Sequence, residues 1–136
     1  MTQEELQQVM TVAQGWLDGK YDAETKPQVK AMMEAEDKTE LVDSFYRTLE
    51  FGTGGLRGIM GPGTNRMNKY IVAQATQGYA NYLLKVQAEN GFKNVQNGQV
   101  AVVVGHDCRN NGRLFAETVA DIFSANGIKV YLFESL

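Results

Sequence analysis

A chain of 136 residues, 43% of them apolar, is long enough for one buried core and too apolar to be disordered. Its net charge of -3 splits into 11 acids and 5 bases over residues 1–50 (-6) and 5 acids and 8 bases over residues 51–136 (+3), so the second part suits an anion, yet no cationic stripe marks a nucleic-acid surface. No apolar run approaches the roughly 18 residues of a membrane span, the start MTQEELQQ is unlike a signal peptide, and the single Cys108 precludes an internal disulfide; together these point to a cytoplasmic chain.

Thr2 and Glu5 form a capping box, and Leu6, Val9, Met10, Ala13, Trp16 and Leu17 then recur at helical spacing until Gly19. A second helix is predicted over residues 27–36, with Thr25 near its N-cap and Val29, Met32 and Met33 on one face. A third follows Thr39, with Leu41, Phe45 and Leu49 inward. Residues 1–47 read as an acidic helical extension and residues 48–136 as an α/β domain.

FGTGGLRGIMGPGTNRMN (residues 51–68) comes next, with 6 of the chain's 14 glycines. Phe51 and the Ile59/Met60 pair are its apolar anchors, and short irregular strands joined by tight turns at Gly61-Pro62-Gly63 are predicted. Asn68 then caps a long helix with Ile71, Val72, Ala75, Tyr79, Tyr82, Leu83 and Val86 on one stripe, ending near Gly91. Val100 to Gly105 (VAVVVG) reads as a strand buried on both faces. A helix with Leu114, Phe115, Val119, Ile122 and Phe123 is closed by Gly127, and Ile128 to Phe133 forms another strand: a βαβ unit with parallel strands.

The glycine run matches neither common phosphate fingerprint. G-x-G-x-x-G from Gly52 meets Arg57 where glycine is required, and the P-loop from Gly58 meets Thr64 where lysine is required. A linker would lack Phe51, Leu56, Ile59 and Met60, so an ordered loop is the better reading. In it, Gly54 and Gly55 let the backbone approach a ligand and the Arg57 guanidinium can bind phosphate oxygens bidentately; pairing of Arg57 with Glu50 or Asp43 is the equal alternative.

GHDCRNNGR, from Gly105, is a second candidate, because ligands collect at the carboxyl ends of parallel strands. Asp107 either orients Arg109 or caps the next helix with it. His106 reads as a half-buried strand-end residue rather than the base of a Cys108 nucleophile, since neighbours in sequence seldom face each other. One His and one Cys without spaced partners make no metal site.

FGTGGLRG, MGPGTNRMN and VGHDCR, from about Glu40 to the last residue, together resemble the first domain of the α-D-phosphohexomutases, the phosphoglucomutase and phosphomannomutase superfamily. WLDGKYDAETKPQV resembles the helical extension of its glucose- and pentose-type branch. The resemblance implies a three-layer α/β/α first domain, here incomplete, of a four-domain enzyme. That enzyme uses Mg²⁺, a phosphoserine and a sugar 1,6-bisphosphate to interconvert hexose 1- and 6-phosphates. It places Arg57 near the transferring phosphoryl group, Thr53, Gly54 and Gly55 around it, and Asp107 and Arg109 in support.

The resemblance also sets limits. Neither Ser44, Ser124 nor Ser135 has a T-x-S-H-N-P context, and no D-x-D-x-D metal run is present. A truncated, inactive piece is therefore expected, with sugar phosphates and the missing domains as partners. A stand-alone phosphate-binding module and self-association through an exposed sheet edge are the alternatives. Glucose ranks first among the sugars on the branch resemblance, with mannose and pentose open.

Overall fold

The computed structural model describes residues 1–52, 55–89 and 99–134. The expected helix end near Gly91 lies outside them. The chain divides into two units, Met1–Asn68 and Lys69–Leu136.

In the first unit, helix α1 (Gln3–Asp18) starts from the expected capping box: Thr2 Oγ1 accepts the Glu5 N–H and Glu5 Oε2 accepts the Thr2 N–H. Its buried face is Val9, Ala13 and Trp16; Trp16 stacks on Tyr21 at 4.3 Å and meets Phe45 edge-on at 5.5 Å. Helix α2 (Thr25–Glu34) begins before the expected Pro27, and Thr25 is not its cap. Asp22 Oδ1 instead takes the N–H groups of Glu24 and Thr25. Pro27 is tolerated in the first turn, where no intrahelical acceptor is available for an N–H anyway.

Helix α3 (Thr39–Phe45) buries Leu41, Ser44 and Phe45. Leu49, expected on this helix, lies beyond its end, and its N–H donates to Thr64 O at 2.9 Å. The chain leaves α3 early because loop groups take up the carbonyls at its C-terminal end. Val29 and Leu41 are fully buried, and burial of a side chain of this size contributes about 1.5–3 kcal/mol.

In the second unit, α4 (Lys69–Glu89) buries Ile71, Val72, Thr76, Ala80 and Leu83. The expected stripe is corrected at Tyr79 and Tyr82, which are 54% and 60% exposed. They flank the buried line, stacking on each other at 6.4 Å, with Tyr79 edge-on to Phe123. Thr76 fits the apolar line because its hydroxyl donates to Val72 O at 2.7 Å.

Strands β3 (Ala101–Val104) and β4 (Lys129–Leu132) pair in parallel, Val102 opposite Val130, around helix α5 (Gly112–Ala125). This is the expected βαβ unit. Gly127, at φ +76°, ends α5: its N–H reaches Ser124 O, and the Ile128 N–H reaches Phe123 O. Ile128 and Phe123 join Ala80, Leu83 and Val100 in the core of this unit. The expectation that β3 is buried on both faces is corrected: Ala101 and Val103 are exposed, because α5 covers only the opposite face of a two-stranded sheet. Among the described residues, no helix is long and apolar enough to cross a membrane.

Candidate functional site

The glycine-rich segment opens with a minimal hairpin. β1 (Phe51–Gly52) pairs antiparallel with β2 (Gly55–Leu56), Phe51 opposite Leu56 and Gly52 opposite Gly55. Two of the expected phosphate-loop residues, Thr53 and Gly54, lie outside the described residues. Gly55 has φ +110°, a backbone conformation an L side chain strains to adopt, and nothing lies within 4 Å of where its Cβ would be. The close approach that glycine permits there is toward open space.

Arg57 follows β2 directly and is exposed. Among the described residues it makes no hydrogen bond and no ion pair, so the expected alternative of a bond to Glu50 or Asp43 is not what the structure contains. Its five guanidinium N–H groups remain available to an oxyanion. The expected apolar anchors do not hold this loop: Phe51, Ile59 and Met60 are 69%, 65% and 45% exposed.

Polar groups hold it instead. Arg66 is only 8% exposed. Its Nη1 donates to Asp43 O at 3.1 Å and Asn65 O at 3.3 Å, and its Nη2 to Asp43 Oδ2 at 3.4 Å. Asn65 donates its backbone N–H to Ser44 O and its Nδ2 to Asp43 O, while Thr64 Oγ1 donates to Arg47 O at 2.7 Å. These acceptors include carbonyls at the end of α3, which a helix C-terminus leaves unsatisfied.

Asn68 Nδ2 donates to the carbonyls of Gly61 and Gly63, closing the expected glycine-proline turn on itself. Gly63, at φ +130°, packs so tightly that a Cβ would stand 2.4 Å from Ser44 O. Ser44 itself is 2% exposed, with its Oγ against Met32 Sδ, and is part of the packing. Thr64, Asn65 and Arg66 carry no role legible in the sequence. The available signal was the density of short polar side chains directly after the turn, a composition that serves backbone carbonyls as readily as a ligand.

At the end of β3 the first of the two readings of Asp107 and Arg109 is what the structure contains. Arg109 Nε lies 2.9 Å from Asp107 Oδ2, and Asp107 Oδ1 accepts the Arg109 backbone N–H at 3.0 Å. Asp107 thus orients Arg109. With the Arg109 side chain 85% exposed, the pair contributes little to stability. His106 is half-buried; its Nδ1 stands 3.0 Å from Asp107 O, and its buried Nε2 has no partner among the described residues. Cys108 is exposed and does not bond to His106. Gly112 lets α5 begin close to this loop, its would-be Cβ 2.9 Å from Asp107 O. Gly55 and Arg57 lie in the first unit, Asp107 and Arg109 in the second.

Residues 48–136 match the family model described as phosphoglucomutase/phosphomannomutase, alpha/beta/alpha domain I. The chain belongs to this family. A probable phosphoribomutase of Schizosaccharomyces pombe is 36% identical over 121 residues, covering 89% of this chain and 19% of its own length. A human phosphopentomutase is 36% identical over 127 residues (89% and 20%), and a phosphomannomutase of Mycoplasma pneumoniae 35% over 124 residues (90% and 21%). The chain therefore spans about a fifth of the length of these curated relatives. No solved structure gives a significant match.

The mixed helices and short sheets fit the α/β first domain of the phosphohexomutases. The Mg²⁺ that the family implies is another matter. Among the described residues no three of His, Cys, Asp and Glu converge, so they hold no set fit to ligate it.

Proposed function

We propose that this chain contributes the arginine loop of a sugar-phosphate mutase, with Arg57 binding a phosphoryl group of a sugar phosphate or bisphosphate. One observation carries the proposal: in the segment that matches the family, Arg57 is exposed without a partner among the described residues while Arg66 is consumed by the fold. Phosphoryl transfer spreads charge over the transferring oxygens, and a bidentate guanidinium offsets it where the charge develops. Thr53, Gly54 and Gly55 would let the backbone approach those oxygens. Asp107 would hold Arg109 in a fixed direction, a supporting role.

The reaction proposed for the longer protein is interconversion of sugar 1- and 6-phosphates, or their pentose equivalents, through a phosphoserine. Neither that serine loop nor a metal run occurs in residues 1–136, so these residues alone should not turn over substrate. The names of the relatives include pentose, mannose and glucose sugars, so glucose, first on resemblance, stands beside the other two.

The test is titration of a sugar 1,6-bisphosphate into the 136-residue chain and its Arg57→Ala variant. Binding that falls at least fivefold in the variant is expected; binding indifferent to Arg57 would contradict the proposal, as would conversion of glucose 1-phosphate by the pure chain. A second reading, self-association without catalysis, draws on the outer face of the β3–β4 sheet, where Val103 and Tyr131 are 65% and 52% exposed. Concentration-dependent dimerisation with no anion binding would favour it.

A further inference from the structure

We propose that Arg66 is a positioning residue for Arg57, so that docking of the loop on the end of α3 sets the competence of the phosphate site. This rests on the phosphate reading of Arg57. A chain of contacts connects the two. Arg66, buried, grips Asp43 O and Asp43 Oδ2, and Asn65 beside it grips Asp43 O and Ser44 O. The next residue, Met67, donates its N–H to Ile59 O at 2.8 Å, and Gly61 returns its N–H to Met67 O at 3.1 Å.

From the other side, the Leu49 side chain lies against Gly58, where a Cβ would come within 2.9 Å of Leu49 Cδ1, while the Leu49 N–H is held by Thr64 O. Gly58 and Ile59 thus touch both the segment that follows α3, through Leu49, and the segment that docks on its end, through Met67, and Arg57 is the residue before them. An exposed arginine with no partner among the described residues has its backbone as its fixed point. A guanidinium that binds an oxyanion bidentately needs that point held, since each freely rotating bond ordered on binding weakens the complex.

The ion pair is the lesser part of the grip. Asp43 is 63% exposed at its side chain, whereas Arg66 is 10%, so the carbonyl bonds from Nη1 matter more than the charge. Arg66→Lys keeps the charge but not the fork, and should lose most of the effect; Asp43→Asn keeps an acceptor oxygen and both carbonyls, and should lose little.

The experiment compares the 136-residue chain with Arg66→Met, Arg66→Lys and Asp43→Asn, each with and without Arg57→Ala. It reads backbone amide exchange by NMR and affinity for a sugar 1,6-bisphosphate. The expected result is exchange of the Met67 N–H faster by roughly tenfold in Arg66→Met and Arg66→Lys, with amides within α1 unchanged, and affinity lower by roughly tenfold. The affinity loss should vanish in the Arg57→Ala background, which a merely structural role of Arg66 would not produce. Should Arg66→Met fail to fold, Arg66→Lys decides. Unchanged Met67 exchange, or an affinity loss of equal size with and without Arg57, overturns the inference. Failure of the unmodified chain to bind bisphosphate, with Met67 exchange still responding to Arg66, instead overturns the phosphate reading and the functional half of the inference with it.

Discussion

Arg57 and Arg66 flank the same glycine-rich turn, yet among the described residues one is exposed and unpartnered while the other is buried and makes three hydrogen bonds. The difference follows from what each can reach. Arg66 stands beside the end of α3, where carbonyls lack N–H donors from their own helix, and the turn from Gly61 to Asn68 brings it there. Arg57 follows a two-residue strand and engages no acceptor among the described residues. Two identical side chains thus divide the tasks of the segment: one holds the loop and the other is left for a ligand.

The glycines divide in the same way, and they give the largest expected effect. Gly63→Ala places a Cβ against the Ser44 carbonyl at a positive φ and should cost about 3–4 kcal/mol in denaturant unfolding. Gly55→Ala, with the same kind of φ but open space, should cost only about 1–2 kcal/mol. Equal costs would erase the contrast between a packed half and an open half of the loop.

Next comes Arg66→Met, which strips donors from two carbonyls and a carboxylate and should lower stability by about 2 kcal/mol, read by thermal or denaturant melting. Arg57→Ala should change stability by less than about 0.5 kcal/mol in the same measurement. A large loss there would mean that Arg57 is structural after all.

The smallest effect lies at the start of α3. The Thr39 hydroxyl, and after it the Thr39 N–H, hold the Asp37 carboxyl below its ordinary value of 3.8, with burial working in the other direction. A depressed carboxyl stabilises the fold above its unfolded value, and the contribution fades as pH falls through the lower folded value. Asp37→Asn should therefore reduce stability slightly at neutral pH, and the reduction should shrink as pH falls below the ordinary carboxyl value and through the lower folded one. An equal reduction at neutral and at low pH would show that the carboxylate charge is not what matters.

Local signals were legible in the sequence where one residue type has one physical use. The Thr2 and Glu5 capping box, Gly127 ending α5 and the β-branched run of β3 each state their own structure. The face of an element is legible only when its partners are known: Val103 reads as core from its neighbours, but with one strand and one helix layered on it the other face stays exposed. Tyr79 and Tyr82 fall on the helical period and still point partly outward, since Thr76 hides its hydroxyl in its own helix and takes the line between Val72 and Ala80.

At the site, the residue type pointed to anion chemistry for both arginines alike. Which one the fold consumes depends on where the turn delivers it, a tertiary fact with no local marker. The pairing of Asp107 with Arg109, by contrast, is local, and two-residue spacing at a strand end offered it as one of two readings, the other being a shared cap of the next helix.

The most direct measurement is an NMR titration of a sugar 1,6-bisphosphate into the 136-residue chain, following the backbone amides of Gly55 to Gly58. Saturable shifts there that disappear in Arg57→Ala, with the melting temperature of that variant unchanged, are the predicted result. Shifts of the same size in Arg57→Ala, or none at these amides in the unmodified chain, would contradict the assignment of Arg57 to phosphate.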